Sequence, residues 1–165
     1  MITEIDLLQA IYIAIPAYIA NAFPTLFRGG PPMDLGFHFI DGKRIFGANK
    51  TFRGFGMALI LGILAAIAEE IFLGPGIFLI GALAALGALL GDLLGSFIKR
   101  RIDFKPGEPF PILDQLDFIL GALILTYPVQ QVGFGTIIIL IIFTPPIHLL
   151  ANFFAYRLGV KRNWW

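Results

Sequence analysis

The chain contains no cysteine and only two histidines. The first absence excludes disulfides, zinc–thiolate sites, iron–sulfur clusters and thiol nucleophiles, and the second leaves too few imidazoles for most histidine-built metal centres. Charge is also scarce. Asp, Glu, Lys and Arg make up 14% of residues, against about 25% in ordinary soluble domains. A chain that is 58% hydrophobic with so little charge reads as one whose solvent is lipid. The opening, MITEIDLL, lacks the positive region of a cleaved signal peptide, so the first apolar segment is expected to be retained.

Apolar sequence fills that space. A span needs about 20 mostly apolar residues, and five segments meet the requirement: 5–27, 54–73, 77–98, 115–131 and 134–157. The expectation is an all-α integral membrane protein of five transmembrane helices, forming one domain over 1–165. Pro16, Pro24, Pro128 and the pair Pro145-Pro146 should bend or interrupt helices. Asn21 is either an interhelical hydrogen bonder or, with Pro24, part of a lipid-binding pocket. The third segment is rich in Gly and Ala, which suits the centre of a bundle.

The net charge is only +1, and its distribution says more. Arg28, Lys43, Arg44, Lys50 and Arg53 lie in the first long loop; Lys99, Arg100, Arg101 and Lys105 in the third; Arg157, Lys161 and Arg162 in the tail. Together they are all 12 cations of the chain, and five spans place all three regions on one side. The positive-inside rule then predicts an external N-terminus and a cytoplasmic C-terminus.

Within the basic loops, Asp41-Gly42 suits a tight hairpin turn carrying Lys43 and Arg44. Residues 47–54 run into the second span, so Lys50, Thr51 and Arg53 stand at a helix N-terminus, which favours an anion. Asp92 is a carboxylate inside an apolar helix, costing roughly 2.5–3.5 kcal/mol on insertion scales, and is a functional candidate by default. It shares a helix face with Ser96 and Lys99, spaced i, i+4, i+7. Asp114 and Asp117 share a face where the fourth segment opens; they either cap that helix or, with Asp92, supply the oxygen ligands a hard cation such as Mg²⁺ prefers. Glu69 and Glu70 read as interfacial acids without chemistry, and His148 as a hydrogen-bonding residue on a face with Asn152. Charges that stop near one face give little support to a small transporter, and a non-catalytic lipid-binding protein leaves Asp92 unexplained.

The composite Gly91-Asp92…Ser96…Lys99-Arg100, Lys105, Pro106-Gly107 and Leu113-Asp114-Gln115-Leu116-Asp117 resembles the C-terminal signature of the CDP-diacylglycerol synthase family of integral-membrane cytidylyltransferases. Asn49-Lys50-Thr51-Phe52-Arg53-Gly54 resembles that family's upstream Lys-Lys-Thr/Ser-x-x-Gly element. Pro16-Ala17-Tyr18, Ala20-Asn21 and Asp41-Gly42-Lys43-Arg44-Ile45-Phe46-Gly47 are similar to its small archaeal branch. The His-Gly-Gly, Arg and Ser of the bacterial and eukaryotic signature are missing between Phe110 and Phe118, so their roles do not transfer.

The resemblance implies a Mg²⁺-dependent reaction of CTP with an unsaturated ether-lipid phosphate, digeranylgeranylglyceryl phosphate, giving a CDP-lipid and pyrophosphate. It implies catalytic Asp92, Asp114, Asp117 and Lys99, the aspartates as metal ligands. CTP would be bound by Lys43, Arg44, Gly47, Asn49, Lys50, Thr51, Arg53, Gly54, Ser96, Lys99, Arg100 and Lys105. The expected setting is the cell membrane with the site facing the cytoplasm; CTP, the lipid phosphate and membrane lipids are the expected partners, and no nucleic acid.

Overall fold

A computed structural model describes residues 2–27 and 29–161. Arg28, Arg162 and the closing tryptophans lie outside the described residues. The chain folds into helices α1 (Glu4–Ala22), α2 (Phe52–Leu73), α3 (Phe78–Arg101), α4 (Leu113–Thr126) and α5 (Phe134–Arg157), with a short 3₁₀ turn, Phe23–Thr25, after α1. No strand forms among the described residues; the loop before α2 has only the isolated bridges Pro32–Thr51 and His38–Arg44. The second of these flanks the expected turn at Asp41-Gly42, where Phe39 N donates to Lys43 O at 2.8 Å.

Local chemistry sets the helix starts. Thr3 and Asp6 form a reciprocal capping box on α1, and the Thr51 hydroxyl accepts from Gly54 N at the head of α2. Pro16 is accommodated inside α1, and Pro145 and Pro146 inside α5. At the far end of the bundle, Asp6 of α1 accepts from Thr136 N of α5 at 3.2 Å, which ties the first helix to the last.

Helix α3 is the axis of the bundle, with Ala84, Ala85 and Ala88 wholly buried. Its glycines let α4 approach backbone to backbone: a Cβ on Gly87 would meet Ala122 Cα at 2.8 Å, and one on Gly121 would meet Gly91 Cα at 2.8 Å. Around the outside, large apolar side chains such as Phe72, Ile124 and Phe134 are exposed, as a lipid-facing surface requires.

Among the described residues four helices are long and apolar enough to cross a membrane: α1 with its 3₁₀ extension, α2, α3 and α5. Helix α4 has 14 residues, a rise of about 21 Å against a hydrocarbon core of about 30 Å. The apolar run expected to span over 115–131 stops being helical before Pro128, where the ring removes the N–H that would extend it. An expectation is corrected at the end of α2. Glu69 is 6% exposed, not interfacial, because it continues the buried face of Ala58, Gly62 and Ala66. Glu70 does face outward, and its carboxylate accepts the N–H groups of Gly76, Ile77 and Phe78 at the start of α3.

Candidate active site

Where α2 and α4 begin and α1, α3 and α5 finish, the bundle opens into a cleft of about 780 Å³. Its floor is the C-terminal part of α3. Asp92, Ser96 and Lys99 all face it, as their helical spacing predicts, and Arg100 joins them. The opposite wall is the segment before α2, with Asn49, Lys50, Thr51 and Gly54. Asn21 and Pro24 from the end of α1, and Asp114 from α4, complete the set of expected residues that line it.

Charge ties both the first loop and α4 to α3. Lys50 Nζ lies 2.5 Å from Asp92 Oδ2. Lys99, 7% exposed, donates to both carboxylate oxygens of Asp114 at 2.9 and 2.8 Å and also to Glu108 O. Asp114 accepts in addition from Phe110 N at 2.9 Å, so it organises the entry to α4. Gly47 adopts φ +102°, and a side chain there would come within 3.3 Å of Pro106 and 3.7 Å of an Arg100 guanidinium nitrogen. The positive φ is what favours glycine there, where the first loop meets the third.

Arg100 is the unusual member. It is 7% exposed, and Nη2 donates to Lys105 O at 3.2 Å, yet Nε and Nη1 have no hydrogen-bond partner. A buried guanidinium with unfilled donors in a cleft is incomplete without an acceptor, because each such group left unpaired costs about 1–3 kcal/mol or more.

The first loop is shaped by a residue the sequence did not single out. Asp34 is 3% exposed and pairs with Arg44 while accepting from Gly36 N, Phe46 N and Gly47 N at 3.1, 3.1 and 2.8 Å. Burial acts to raise its carboxyl, but the Arg44 guanidinium and those three N–H groups outweigh it and hold the carboxyl well below the usual range. Arg44 is thus spent on Asp34. Lys43 is spent on Asp103, at 2.7 Å, and on Arg101 O at 2.8 Å. Arg101 itself lies between Phe39 and Phe97, 5.1 and 4.6 Å from the ring centres, and pairs with Asp41 at 3.0 Å. Neither Lys43 nor Arg44 lines the cleft; Lys43 fastens the first loop to the end of α3, and Arg44 braces the loop internally on Asp34. Arg53 and Lys105 are exposed and also stand off the cleft wall.

A family model described as CarS-like: CDP-archaeol synthase matches residues 2–165. Proteins named CDP-archaeol synthase from Methanocaldococcus jannaschii and Methanococcus aeolicus are 40% and 44% identical to the chain, over 96% and 92% of it and 97% and 92% of their own lengths. One from Pyrococcus furiosus is 42% identical over 96% of the chain and 98% of its own length. The chain belongs to the CDP-archaeol synthase family. A solved structure of an intramembrane enzyme for archaeal membrane lipids biosynthesis, 37% identical, superposes with a TM-score of 0.82 over 88% of this chain and 93% of that one. The resemblance to membrane cytidylyltransferases drawn from the motifs therefore holds, and the chain is a multi-pass membrane enzyme.

Cytidylyl transfer in such a family calls for a divalent cation, and the donor set bears on how one could sit here. Among the described residues no three Asp, Glu or His side chains converge closely enough to hold an ion between them. All three aspartates are engaged: Asp114 by Lys99 and the Phe110 N–H, Asp92 by Lys50, and Asp117 by the Phe118 N–H. Asp117 packs its carboxylate against Gly95 of α3, where a Cβ would collide with it. One or two carboxylates with phosphate oxygens and water make an ordinary Mg²⁺ environment, so these carboxylates fit the ion without a converging third ligand. The sequence also passed over His148, Asn152 and Lys161, which line the cleft from α5 and the tail. Their signal was the i, i+4 spacing of His148 and Asn152; Lys161 arrives only because the chain turns back after α5.

Proposed function

We propose that this enzyme joins the cytidylyl group of CTP to the phosphate of an unsaturated archaeal ether lipid and releases pyrophosphate. The observation that carries the reading is the cleft's charge pattern. Two lysines there are neutralised by aspartates, and a buried arginine keeps unfilled donors beside them. A triphosphate satisfies Arg100 and can draw Lys50 from Asp92, which in turn becomes available near the phosphates, while Lys99 stays held by Asp114.

The chemistry asks little of a base. The lipid's phosphate monoester is already an anion; one of its oxygens attacks the α-phosphorus of CTP, the bond from that phosphorus to the β-phosphate oxygen breaks, and its electron pair leaves with pyrophosphate. No proton need move. What remains is alignment and neutralisation of charge. Arg100 and Lys50 grip the triphosphate, Lys99 stands over the transferring phosphate, and Ser96, Asn49 and Thr51 add hydrogen bonds. Arg53 and Lys105 act at the rim, and Asn21 and Pro24 border the lipid. Asp92 and Asp117 would hold Mg²⁺, which when bound offsets triphosphate charge and polarises the α-phosphate; Asp114 positions Lys99.

The same reading extends to topology. The whole chain, 1–165, acts as one domain with the N-terminus outside and the C-terminus in the cytoplasm, and α4 with the turns after it serves as the fifth crossing. The site then faces the cytoplasm from the cell membrane, where CTP is available. Purified protein in detergent given labelled CTP, Mg²⁺ and a prenyl-ether glycerol phosphate should form CDP-lipid and pyrophosphate in equal amounts. No nucleotide-dependent lipid product, with ether and ester phosphates both supplied, would sink the reading.

A further inference from the structure

A second cavity, of about 330 Å³, lies beside the cleft between the end of α1 and the second half of α5. Most of its wall is apolar, including Leu26, Phe118, Ile147, Phe154 and Leu158. Leu26, Phe154 and Leu158 are themselves exposed, so this cavity gives onto the lipid-facing surface. Five residues, Asn21, Thr25, His148, Asn152 and Lys161, line both cavities and form a polar seam between them.

The seam is built, not incidental. Gly159 takes φ +74°, and the N–H groups of Val160 and Lys161 both donate to Ala155 O, at 2.9 and 3.2 Å, folding the chain back along α5. Lys161 Nζ then reaches Asn152 Oδ1 at 2.5 Å. Asn152, 6% exposed, is paired through Nδ2 with His148 Nδ1 at 3.4 Å. Among the described residues Lys161 is the one Lys or Arg that lines both the polar cleft and the apolar cavity.

An amphiphile whose phosphate must meet CTP while its chains stay in lipid needs such a boundary. We propose that Lys161, steadied by Asn152 and His148, binds the phosphate monoester of the lipid substrate, whose chains pass out between α1 and α5. This rests on the cytidylyl-transfer reading above. The tail is thereby a substrate-positioning element, not only a basic anchor at the membrane surface.

The test uses the full-length enzyme in neutral detergent without bulk anionic lipid, so that a lysine serving only as a headgroup anchor has nothing to bind. Lys161→Met should raise KM for the lipid phosphate about tenfold or more while KM for CTP stays within about twofold, and Lys161→Arg should restore most of the loss. CTP binding by the same preparation without lipid, equal to wild type, reports that the variant is folded. An unchanged KM for lipid, or KM values for lipid and CTP that rise together, overturns the assignment. Absence of any lipid-dependent turnover by the wild-type enzyme overturns the cytidylyl-transfer reading itself and this proposal with it.

Discussion

At the residue scale, Asp34 illustrates how a loop without secondary structure can hold a shape. Its carboxylate gathers one guanidinium and three N–H groups, and the last of these belongs to Gly47, three residues before the cleft lysine Lys50. Removing this carboxylate leaves three N–H groups without their acceptor while Arg44 keeps access to water, so Asp34→Ala should lower stability by about 1–3 kcal/mol in thermal unfolding of the detergent-solubilised protein. The pH dependence follows from the sign of the shift. The carboxyl titrates lower in the folded protein than in the unfolded chain, so its contribution is complete above the ordinary Asp value, about 3.9, and disappears as pH falls through the folded value. The difference in unfolding temperature between wild type and Asp34→Asn should be constant at neutral pH and narrow below about pH 4. Sequence could not supply this residue. Nothing in Met33-Asp34-Leu35 distinguishes a buried hub from a solvated loop acid until the loop is folded over it, and Lys43 and Arg44 looked like substrate ligands because their carboxylate partners are distant in sequence or separated by the turn.

Among elements, α3 and α4 are the pair on which the site depends. Glycines 87, 91, 95 and 121 remove side chains where the helices cross, and α4 thereby delivers Asp114 and Asp117 to α3. Gly121→Val places methyls where Gly91 Cα stands at 2.8 Å from a Cβ position, a contact neither backbone can relieve by a rotamer change. We expect loss of turnover together with a fall in unfolding temperature, whereas Gly56→Ala, on α2 with open space around it, should change neither. This much was legible, since a Gly- and Ala-rich span reads as the central helix. The length of α4 was not, because hydropathy continues past Thr126 while the helix ends before Pro128. Glu69 escaped for a related reason: an acid ending an apolar run looks interfacial, and only the face shared with Ala58, Gly62 and Ala66 turns it inward.

The whole molecule gathers three chain segments, distant in sequence, at one end of the bundle: the loop before α2, the loop before α4 and the return after α5. The cation distribution anticipated that gathering and the motifs named the family, while the roles of individual cations needed the fold. If that end is cytoplasmic, single cysteines placed in this cysteine-free chain will report it. In intact cells Gly76→Cys, in the α2–α3 turn, should react with a membrane-impermeant maleimide, and Lys105→Cys should react only after permeabilisation; the reverse pattern would invert the topology. The central claim is that the gathered loops hold a triphosphate on Arg100, whose Nε and Nη1 are otherwise unfilled. Its most direct test is CTP binding with Mg²⁺ in the absence of lipid, titrated against wild type and Arg100→Met. Loss of charge-assisted hydrogen bonds predicts affinity weaker by about tenfold or more in a variant that still folds; affinity within about twofold of wild type would contradict the account.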